Sequence, residues 1–295
     1  MTETKTEETR SNSQILIAIV IAVTLGALVA LGGSQGSASY NGLPVFAICA
    51  ALAYAINWLV FIPSSIAKTE KFYDLTGGLS YISVILVAVS LSPEMDPRAR
   101  VASAFVVIWS SRLASFLFRR ISKDGKDGRF DDIKTRPLRF LMAWTLQGLW
   151  VVLTVAAALA IITSTNTKPL GIIGYVGIIV WLVGFIIEVV ADRQKSRFRE
   201  NPENAGKFID VGLWSRSRHP NYFGEIVLWV GIAILAFPIL EGWQYVTLIS
   251  PVFVTFLLTK VSGIPLLEQR SDEKWGGQED YEAYKARTPV LIPKL

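Results

Sequence analysis

The sequence predicts an all-α protein, a polytopic bundle of membrane-spanning helices. Hydrophobic residues make up 52% of the 295 residues, and the mean hydropathy is +0.43. They occur in long continuous blocks rather than in amphipathic stripes. A helix needs about 20 apolar residues to cross about 30 Å of hydrocarbon, and eight blocks approach that length. We therefore expect seven to nine spans, with eight as the favoured number.

Short polar connections separate the eight blocks. The third block is short, and Gly263 and Pro265 interrupt the chain after the eighth. Either block is a candidate for a re-entrant segment, which gives the range of seven to nine. In chain order the blocks are 14–32, 44–62, 78–91, 101–118, 140–163, 170–190, 222–240 and 243–261.

The first block follows a polar N-terminal segment. Residues 1–13 are polar and mixed in charge, which is typical of a disordered tail. After this tail we expect two N-terminal spans over 14–71 and a larger membrane domain over 72–295. The first block is expected to be a span or signal anchor, because its flank is more acidic than basic. Cys49 is the only cysteine, which excludes an intrachain disulfide.

The basic residues are concentrated on alternate connections. With eight spans, one set of connections holds nearly all of them, and the opposite set holds only Arg98, Arg100 and Lys168. Lys and Arg favour short cytoplasmic loops, so both termini are expected in the cytoplasm. A basic face against anionic membrane lipid explains the net charge of +5, and no nucleic-acid partner is expected. A bacterial inner membrane and an endoplasmic reticulum fit equally well.

The chemically most informative stretch is GLWSRSRHPNYFGE, residues 212–225, which enters the seventh block. Ionisable groups at that depth are costly and usually face a bundle interior or a water-filled cavity. The stretch contains the only histidine of the chain, so imidazole chemistry is confined to it. Its polar and charged residues include Arg216, Arg218, His219, Asn221, Tyr222 and Glu225.

Further charged residues are expected on the same cytoplasmic side. Arg112 lies inside the fourth block, too deep to reach water easily. Arg270 and Asp272 follow the Gly-Pro break, where they are also compatible with a solvated ion pair. The sixth span carries four charged residues spaced to share one helical face, although the same spacing describes an ordinary salt-bridged helix. These four are Glu188, Asp192, Lys195 and Arg199.

The residue types indicate an anionic cofactor bound at the cytoplasmic mouth of the bundle. Several arginines and a lysine suit a polyanion, whereas Asn221, Tyr222 and Glu225 suit a polar ring or an amide. The sequence has no P-loop, no G-x-G-x-x-G after a strand and no H-E-x-x-H. The usual soluble nucleotide folds and zinc proteases are therefore unsupported, and no metal site is predicted.

Three motifs carry a family resemblance. They are D-x-x-K-x-x-F-R at 192–199, GLW-x-x-SRHPNYFGE at 212–225, and LLEQRSDEKW with DYEAYKARTPVLIP near the C-terminus. Together they resemble the bacterial steroid 5-alpha-reductase-like membrane proteins and, more distantly, the sterol C14 and C24(28) reductases. The resemblance covers roughly residues 72–295. It implies a helical bundle that holds NADPH and passes a hydride to an activated C=C bond of a steroid-like or other lipophilic enone.

The resemblance also implies residue roles. Asn221 and Glu225 match an Asn-x-x-x-Glu pair that anchors the cofactor near its nicotinamide end, and Arg270 and Asp272 match positions around the adenosine phosphates. His219 is expected to contact the cofactor or to hydrogen-bond at the helix entrance rather than to act as catalytic acid. The complete set of expected cofactor contacts is Arg112, Glu188, Asp192, Lys195, Arg199, Arg218, His219, Asn221, Tyr222, Glu225, Arg270 and Asp272.

The catalytic residues are matched less clearly. Trp109 stands three residues before Arg112, where the animal steroid reductases have a catalytic tyrosine, and an indole cannot donate a proton as a phenol does. The substrate therefore need not be a 3-keto-4-ene steroid. Reducing a polarised alkene requires an electrophile at the conjugated oxygen and a later proton. Asp74 and Tyr54 are the candidates for these catalytic roles, and Asp74 also suits a helix cap.

Two other functions are compatible with the residues. An RHP-x-Y turn and a C-terminal segment like DYEAY also occur in isoprenylcysteine carboxyl and phospholipid N-methyltransferases, whose cofactor is S-adenosylmethionine. The pairing of Asn221 with Glu225 and the larger basic set favour NADPH. A non-catalytic lipid-binding or transport scaffold would have broken helices in two matching repeats, and no such repeat is visible. The sequence determines neither the substrate nor the oligomeric state.

Overall fold

The computed structural model describes residues 2–92, 95–124 and 130–294, and it describes side chains for residues 12–92, 95–115 and 130–294. The only strands among these residues are β1 (Ser39–Tyr40) and β2 (Leu43–Pro44), which pair in an antiparallel hairpin. The predicted all-α class is confirmed. The helices are α1 Thr2–Gly33, α2 Val45–Ile66, α3 Tyr73–Leu91, α4 Pro97–Asp124, α5 Pro137–Thr163, α6 Gly171–Glu200, α7 Pro220–Ala236, α8 Ile249–Phe256, α9 Ile264–Trp275 and α10 Glu279–Arg287.

The chain is a multi-pass membrane protein. Seven helical stretches among the described residues are long and apolar enough to cross a membrane, and they correspond to seven of the eight predicted blocks. These stretches are Asn12–Gly33, Val45–Ile66, Tyr73–Leu91, Pro137–Thr163, Gly171–Glu200, Pro220–Ile239 and Gly242–Trp275.

The difference from the favoured number of eight is the fourth block, residues 101–118. It forms the middle of α4 but is not one of the seven stretches. Charged residues such as Arg112 make α4 less apolar than its neighbours, and the side chains of residues 116–124 fall outside the described part. Seven crossings place the termini on opposite sides of a membrane and eight on the same side. The prediction that both termini are cytoplasmic therefore depends on α4 and stays a prediction.

The chain forms two compact units. The first comprises Met1–Leu170 and Ala236–Ile249, and the second comprises Gly171–Leu235 and Ser250–Leu295. The disordered tail predicted over residues 1–13 falls largely on residues 1–11, whose side chains lie outside the described part. That tail and the predicted division at residue 72 stay predictions.

Helix α5 is the centre of the first unit. Of its most apolar 18-residue stretch, 89% is buried, compared with 22% for the corresponding stretch of α1. A helix that is apolar on all sides is stable only when it is surrounded, and α1, α2, α3 and α4 pack against it. Close approach depends on small residues: a Cβ atom at Gly148 would lie 2.9 Å from Cδ1 of Tyr54 on α2.

In the second unit, α6 and α7 pack closely through glycines. Gly177 and Gly184 of α6 lie against Gly231 and Gly224 of α7, in that order, so the two helices run antiparallel. A Cβ atom at Gly177 would lie 2.9 Å from the carbonyl oxygen of Gly231. Small residues at a helix interface let two backbones approach this closely. The contact fixes the start of α7, which carries the second half of the 212–225 motif.

Candidate functional site

The turn before α7 is fixed against α6. A single 3-10 turn, Gly212–Ser215, begins at Gly212 with φ at +63°, a left-handed conformation that favours glycine. The Trp214 indole N–H donates to the Ala191 carbonyl at 3.0 Å, and the Leu213 N–H donates to Oε1 of Gln194 at 2.9 Å. Because the donors lie in the turn and the acceptors on α6, the motif is held beside the charged end of that helix.

The C-terminal segment closes over the same turn. The Arg218 N–H donates to the Pro289 carbonyl at 2.9 Å, and the Ser217 hydroxyl donates to the Leu291 carbonyl at 2.7 Å. Ser217 is fully buried. The residues just before α7 are therefore enclosed by protein rather than exposed as an ordinary loop.

Glu268 of α9 joins the two central residues of the motif. Its Oε2 lies 2.7 Å from Nη1 of Arg218, and its Oε1 lies 2.8 Å from Nε2 of His219. The His219 ring is buried and stacks on Tyr222, with centroids 5.7 Å apart and 9° between the ring planes. We call Arg218, His219 and Glu268 the His219 cluster. Glu268 was not among the predicted site residues.

The protonation of His219 follows from its surroundings. Burial lowers the pKa of His219, and the hydrogen bond to Glu268 opposes this effect only in part. The ring is therefore neutral at neutral pH. An ionised carboxylate can only accept hydrogen bonds, so Nε2 of His219 carries the proton and donates it to Glu268. The other ring nitrogen, Nδ1, is then an acceptor.

Three buried atoms of the His219 cluster make no hydrogen bond among the described residues. One of them, Nη1 of Arg218, takes part in the ion pair with Glu268. The other two, Nδ1 of His219 and Nε of Arg218, have no described partner. Buried polar atoms in proteins are almost always paired, with protein or with ordered water, because desolvation without a partner is costly. Nε of Arg218 is a donor, whereas Nδ1 of His219 is an acceptor. A ligand that presents both an acceptor and a donor would satisfy them.

The charged residues of α6 lie on the part of the helix that contacts the turn through Ala191 and Gln194, and they become more exposed toward the end of the helix. Lys195 stands over the Trp214 ring, with Nζ 4.5 Å from the ring centroid, a favourable cation–π contact. The helix therefore offers both carboxylates and basic groups beside the motif. Glu188 is buried, Asp192 and Lys195 are half-buried, and Arg199 is exposed.

The first turns of α7 carry the predicted Asn-x-x-x-Glu pair. Asn221 and Glu225 are both half-buried and, at a spacing of four residues, lie on one face of the helix. Among the described residues the Asn221 side chain makes no hydrogen bond, so its amide is available to a ligand.

Asp272 has partners inside the protein. Its Oδ1 accepts hydrogen bonds from the Tyr281 hydroxyl at 2.9 Å and from Nζ of Lys285 at 2.8 Å, which ties α9 to α10. The same bond raises the pKa of Lys285. Arg270 is exposed on α9. The roles predicted for Arg270 and Asp272 at the cofactor phosphates stay predictions.

The remaining predicted site residues belong to the first unit. The Tyr54 hydroxyl donates to the Ala22 carbonyl at 2.8 Å, and its ring is buried. Asp74 lies in the first turn of α3, but the N-cap position is Phe72, so Asp74 is not the cap itself. Arg112 is half-buried on α4. The catalytic roles of Tyr54 and Asp74 and the cofactor role of Arg112 stay predictions.

A family model covers most of the chain. The model described as a protein of unknown function, DUF1295, matches residues 60–288. The chain belongs to the DUF1295 family. The predicted resemblance to steroid 5-alpha-reductases is confirmed by curated relatives of this DUF1295 member.

Two of these relatives are named 3-oxo-5-alpha-steroid 4-dehydrogenase 1. The Bos taurus protein is 28% identical over 119 residues, which is 40% of this chain and 41% of the relative. The Rattus norvegicus protein is 31% identical over 117 residues, 40% of each chain. A probable O-methyltransferase of Ustilaginoidea virens is 35% identical over 66 residues, 22% of this chain and 23% of the relative. The DUF1295 member thus spans about two fifths of the steroid dehydrogenases. No solved structure matches it significantly.

Proposed function

We propose that this DUF1295 member is an NADPH-dependent membrane reductase. It transfers a hydride to an activated C=C bond of a steroid-like or other lipophilic enone. The similarity to the two steroid dehydrogenases supports the reaction class. The observation that carries the proposal is the His219 cluster, in which a buried donor, Nε of Arg218, and a buried acceptor, Nδ1 of His219, lack partners among the described residues.

The residues around the cluster fit this cofactor. NADPH presents phosphate oxygens, which accept hydrogen bonds, together with ribose hydroxyls and a carboxamide, which also donate them. Arg218 would hold an acceptor oxygen, and His219 would accept a hydrogen bond from a hydroxyl or amide. Lys195 and Arg199 suit phosphate groups. The Asn221 amide, which makes no hydrogen bond among the described residues, suits the carboxamide.

The residues of the chain would bind and orient the cofactor and shield it from water. When bound, NADPH supplies the hydride. Glu268 holds Arg218 and His219 in fixed positions through bonds of 2.7 Å and 2.8 Å. After hydride addition at one alkene carbon, a proton must reach the other carbon, and Asp74 and Tyr54 remain the proposed residues for the electrophile and the proton.

Ligand-dependent thermal stability tests the cofactor. We expect NADPH to raise the stability of the purified full chain in detergent, by about 2.7 kcal/mol at a hundredfold excess over its dissociation constant. Arg218→Gln should abolish most of this rise. Arg216→Gln is the matched control, because Arg216 is an exposed arginine two residues away. A rise with S-adenosylmethionine alone would contradict the reductase proposal.

The second step is turnover. Protein that binds NADPH is mixed with a lipophilic enone, and the consumption of NADPH is followed together with the appearance of the saturated ketone. We expect consumption only in the presence of the enone. Binding of NADPH without consumption by a panel of enones would retain the cofactor and reject the substrate class.

A methyltransferase is the second candidate function. The match to the probable O-methyltransferase over 66 residues favours it. The carboxylate and amine of S-adenosylmethionine would also supply an acceptor and a donor to Arg218 and His219. The same thermal titration separates the two functions, and no response to either cofactor would favour a lipid-binding scaffold.

A further inference from the structure

The first unit contains a large cavity beside α5. Its volume is about 630 Å³, and its walls come from α1, the start of α3, residues 130–133 and one face of α5. Protein interiors are close-packed, with few voids larger than a water molecule, whereas ligand pockets range from about 300 to 1,000 Å³. The cavity has the size of a ligand site rather than of a packing defect.

One wall of the cavity is held rigidly by Tyr73. Its ring packs against Phe130 at 4.7 Å and against Trp144 at 5.1 Å between centroids. Its hydroxyl donates to the Ala143 carbonyl at 3.0 Å, and its own carbonyl accepts from the Gln147 side chain at 3.0 Å. Because ring, hydroxyl and backbone are all fixed, the wall is not free to collapse inward.

The lining is polar at one end and apolar along its length. Arg139 lies in the first turn of α5, and Gln14 lies where the apolar part of α1 begins. Met142, Leu146 and Trp150 then follow along the same face of α5. Arg139 and Trp150 are eleven positions apart, which corresponds to about 16 Å at 1.5 Å per residue. The cavity therefore has one cationic end and an apolar interior. The depth of this interior is about half the thickness of the hydrocarbon core of a bilayer, which is about 30 Å.

The position of Arg139 suits a membrane headgroup. Basic side chains at the ends of membrane helices reach the interface, where they attract anionic lipid. Arg136 precedes α5 by one residue and is exposed, so the same end of the helix is positively charged on its surface as well. A guanidinium has five donors, so Arg139 can bind a phosphate in addition to its contacts within the protein.

We propose that this cavity binds one acyl chain of an anionic phospholipid, with the lipid phosphate at Arg139 and the chain directed along α5 toward Trp150. The apolar depth selects a hydrocarbon chain, and the cationic end selects a negatively charged headgroup over a zwitterionic one. The site is separate from the His219 cluster in sequence and does not depend on the proposed reductase activity.

Tryptophan quenching by brominated lipid tests this site. The full chain in mild detergent is titrated with phosphatidylglycerol brominated on its acyl chains, and separately with brominated phosphatidylcholine. We expect saturable quenching with phosphatidylglycerol at concentrations about fivefold lower than with phosphatidylcholine, because one basic residue near the headgroup contributes about 1 kcal/mol. Trp150→Phe should remove the saturable component, although the chain retains eight of its nine tryptophans.

Four variants and one competitor decide the outcome. Arg139→Gln should abolish the preference for phosphatidylglycerol, whereas Arg136→Gln, the exposed control, should retain it. Ala143→Phe should block quenching by filling the cavity. An equal loss of preference in both arginine variants would overturn the proposal in favour of general surface attraction. Displacement of the brominated lipid by an equimolar free fatty acid, or quenching unchanged by Trp150→Phe, would overturn it as well.

Discussion

The two units differ in the partners that their buried polar side chains bind. In the first unit, Tyr54 donates to the Ala22 carbonyl on α1 and Asn57 donates to the Ala53 carbonyl of its own helix, at 2.8 Å each. In the second unit, Glu268 binds the guanidinium of Arg218 and the imidazole of His219 directly. A bond to a carbonyl satisfies a polar group within the bundle. Among the described residues, unpaired buried atoms occur in both units: Oδ1 of Asn57 in the first, and Nε of Arg218 and Nδ1 of His219 in the second.

This difference distinguishes polar groups that serve helix packing from polar groups that are suited to binding a ligand. The Tyr54 hydroxyl, which donates to a helix carbonyl, is accounted for by the fold. A cluster that fixes its members but leaves buried donor and acceptor atoms unused is suited to a ligand, since such atoms are costly to keep unpaired. The shared carboxylate that joins Arg218 and His219, rather than unpaired atoms alone, makes the second unit suited to binding a ligand. The catalytic roles of Tyr54 and Asp74 in the first unit stay proposals. Three predictions test the contrast, from the largest effect to the smallest.

Removal of the carboxylate that joins the cluster should have the largest effect. Glu268→Ala takes away both bonds, and hydrogen bonds to charged groups contribute about 1.5 to 3 kcal/mol each. Because Glu268 is partly exposed, we expect a net loss of about 2 kcal/mol in the free energy of unfolding. NADPH affinity should fall by about tenfold to a hundredfold, since Arg218 and His219 lose their fixed positions. Thermal unfolding with and without NADPH measures both effects.

Glu273→Ala provides the matched control on the same helix. Glu273 is exposed and, among the described residues, accepts a single hydrogen bond, from Gln269 at 2.9 Å. Its removal should therefore change stability by less than about 0.5 kcal/mol. NADPH affinity should stay within twofold of the unmodified chain. Equal effects of the two substitutions would show that the His219 cluster is no more than a surface ion pair.

The same contrast explains what the sequence could predict. Hydropathy is a local property, and the predicted block 14–32 therefore corresponds closely to the observed stretch Asn12–Gly33. The 212–225 motif was also found locally, because its charged residues directly precede an apolar run. Glu268 was not found, since it lies 49 residues from His219 and meets it only through tertiary packing. Nothing in its spacing distinguishes it from Glu273 on the same helix.

Tyr54 shows a second limit of sequence analysis, which concerns a residue that it did select. A tyrosine inside an apolar block has the chemistry of a proton donor, and sequence alone cannot show that its hydroxyl already donates to Ala22. The engagement of Asp272 by Tyr281 and Lys285 was hidden for the same reason. Residue type reveals which reactions a side chain can perform, whereas the folded structure reveals which partners it already has.

Loss of the hydrogen bond from Tyr54 to the Ala22 carbonyl in the first unit should have an intermediate effect on stability. Tyr54→Phe removes the hydroxyl but retains the ring, so we expect the free energy of unfolding to fall by about 1 kcal/mol. NADPH affinity should not change. Steady-state turnover measured on the same samples tests the proposed catalytic role, because general acids contribute about a hundredfold or more. Unchanged turnover would remove Tyr54 from the mechanism and leave Asp74 as the proposed donor.

The pH dependence of His219 should be the smallest effect. Burial holds the pKa of His219 below its ordinary value of 6.5 in the folded chain, so the unfolded chain binds more protons as the pH falls below 6.5. Stability from the neutral ring is therefore complete above that pH and is lost as the pH falls toward the folded pKa. We expect His219→Gln to flatten thermal stability between pH 7 and pH 5 relative to the unmodified chain. A slope that His219→Gln leaves unchanged would assign the acid sensitivity to carboxylates instead, and a slope of opposite sign would mean that Glu268 keeps the imidazole charged.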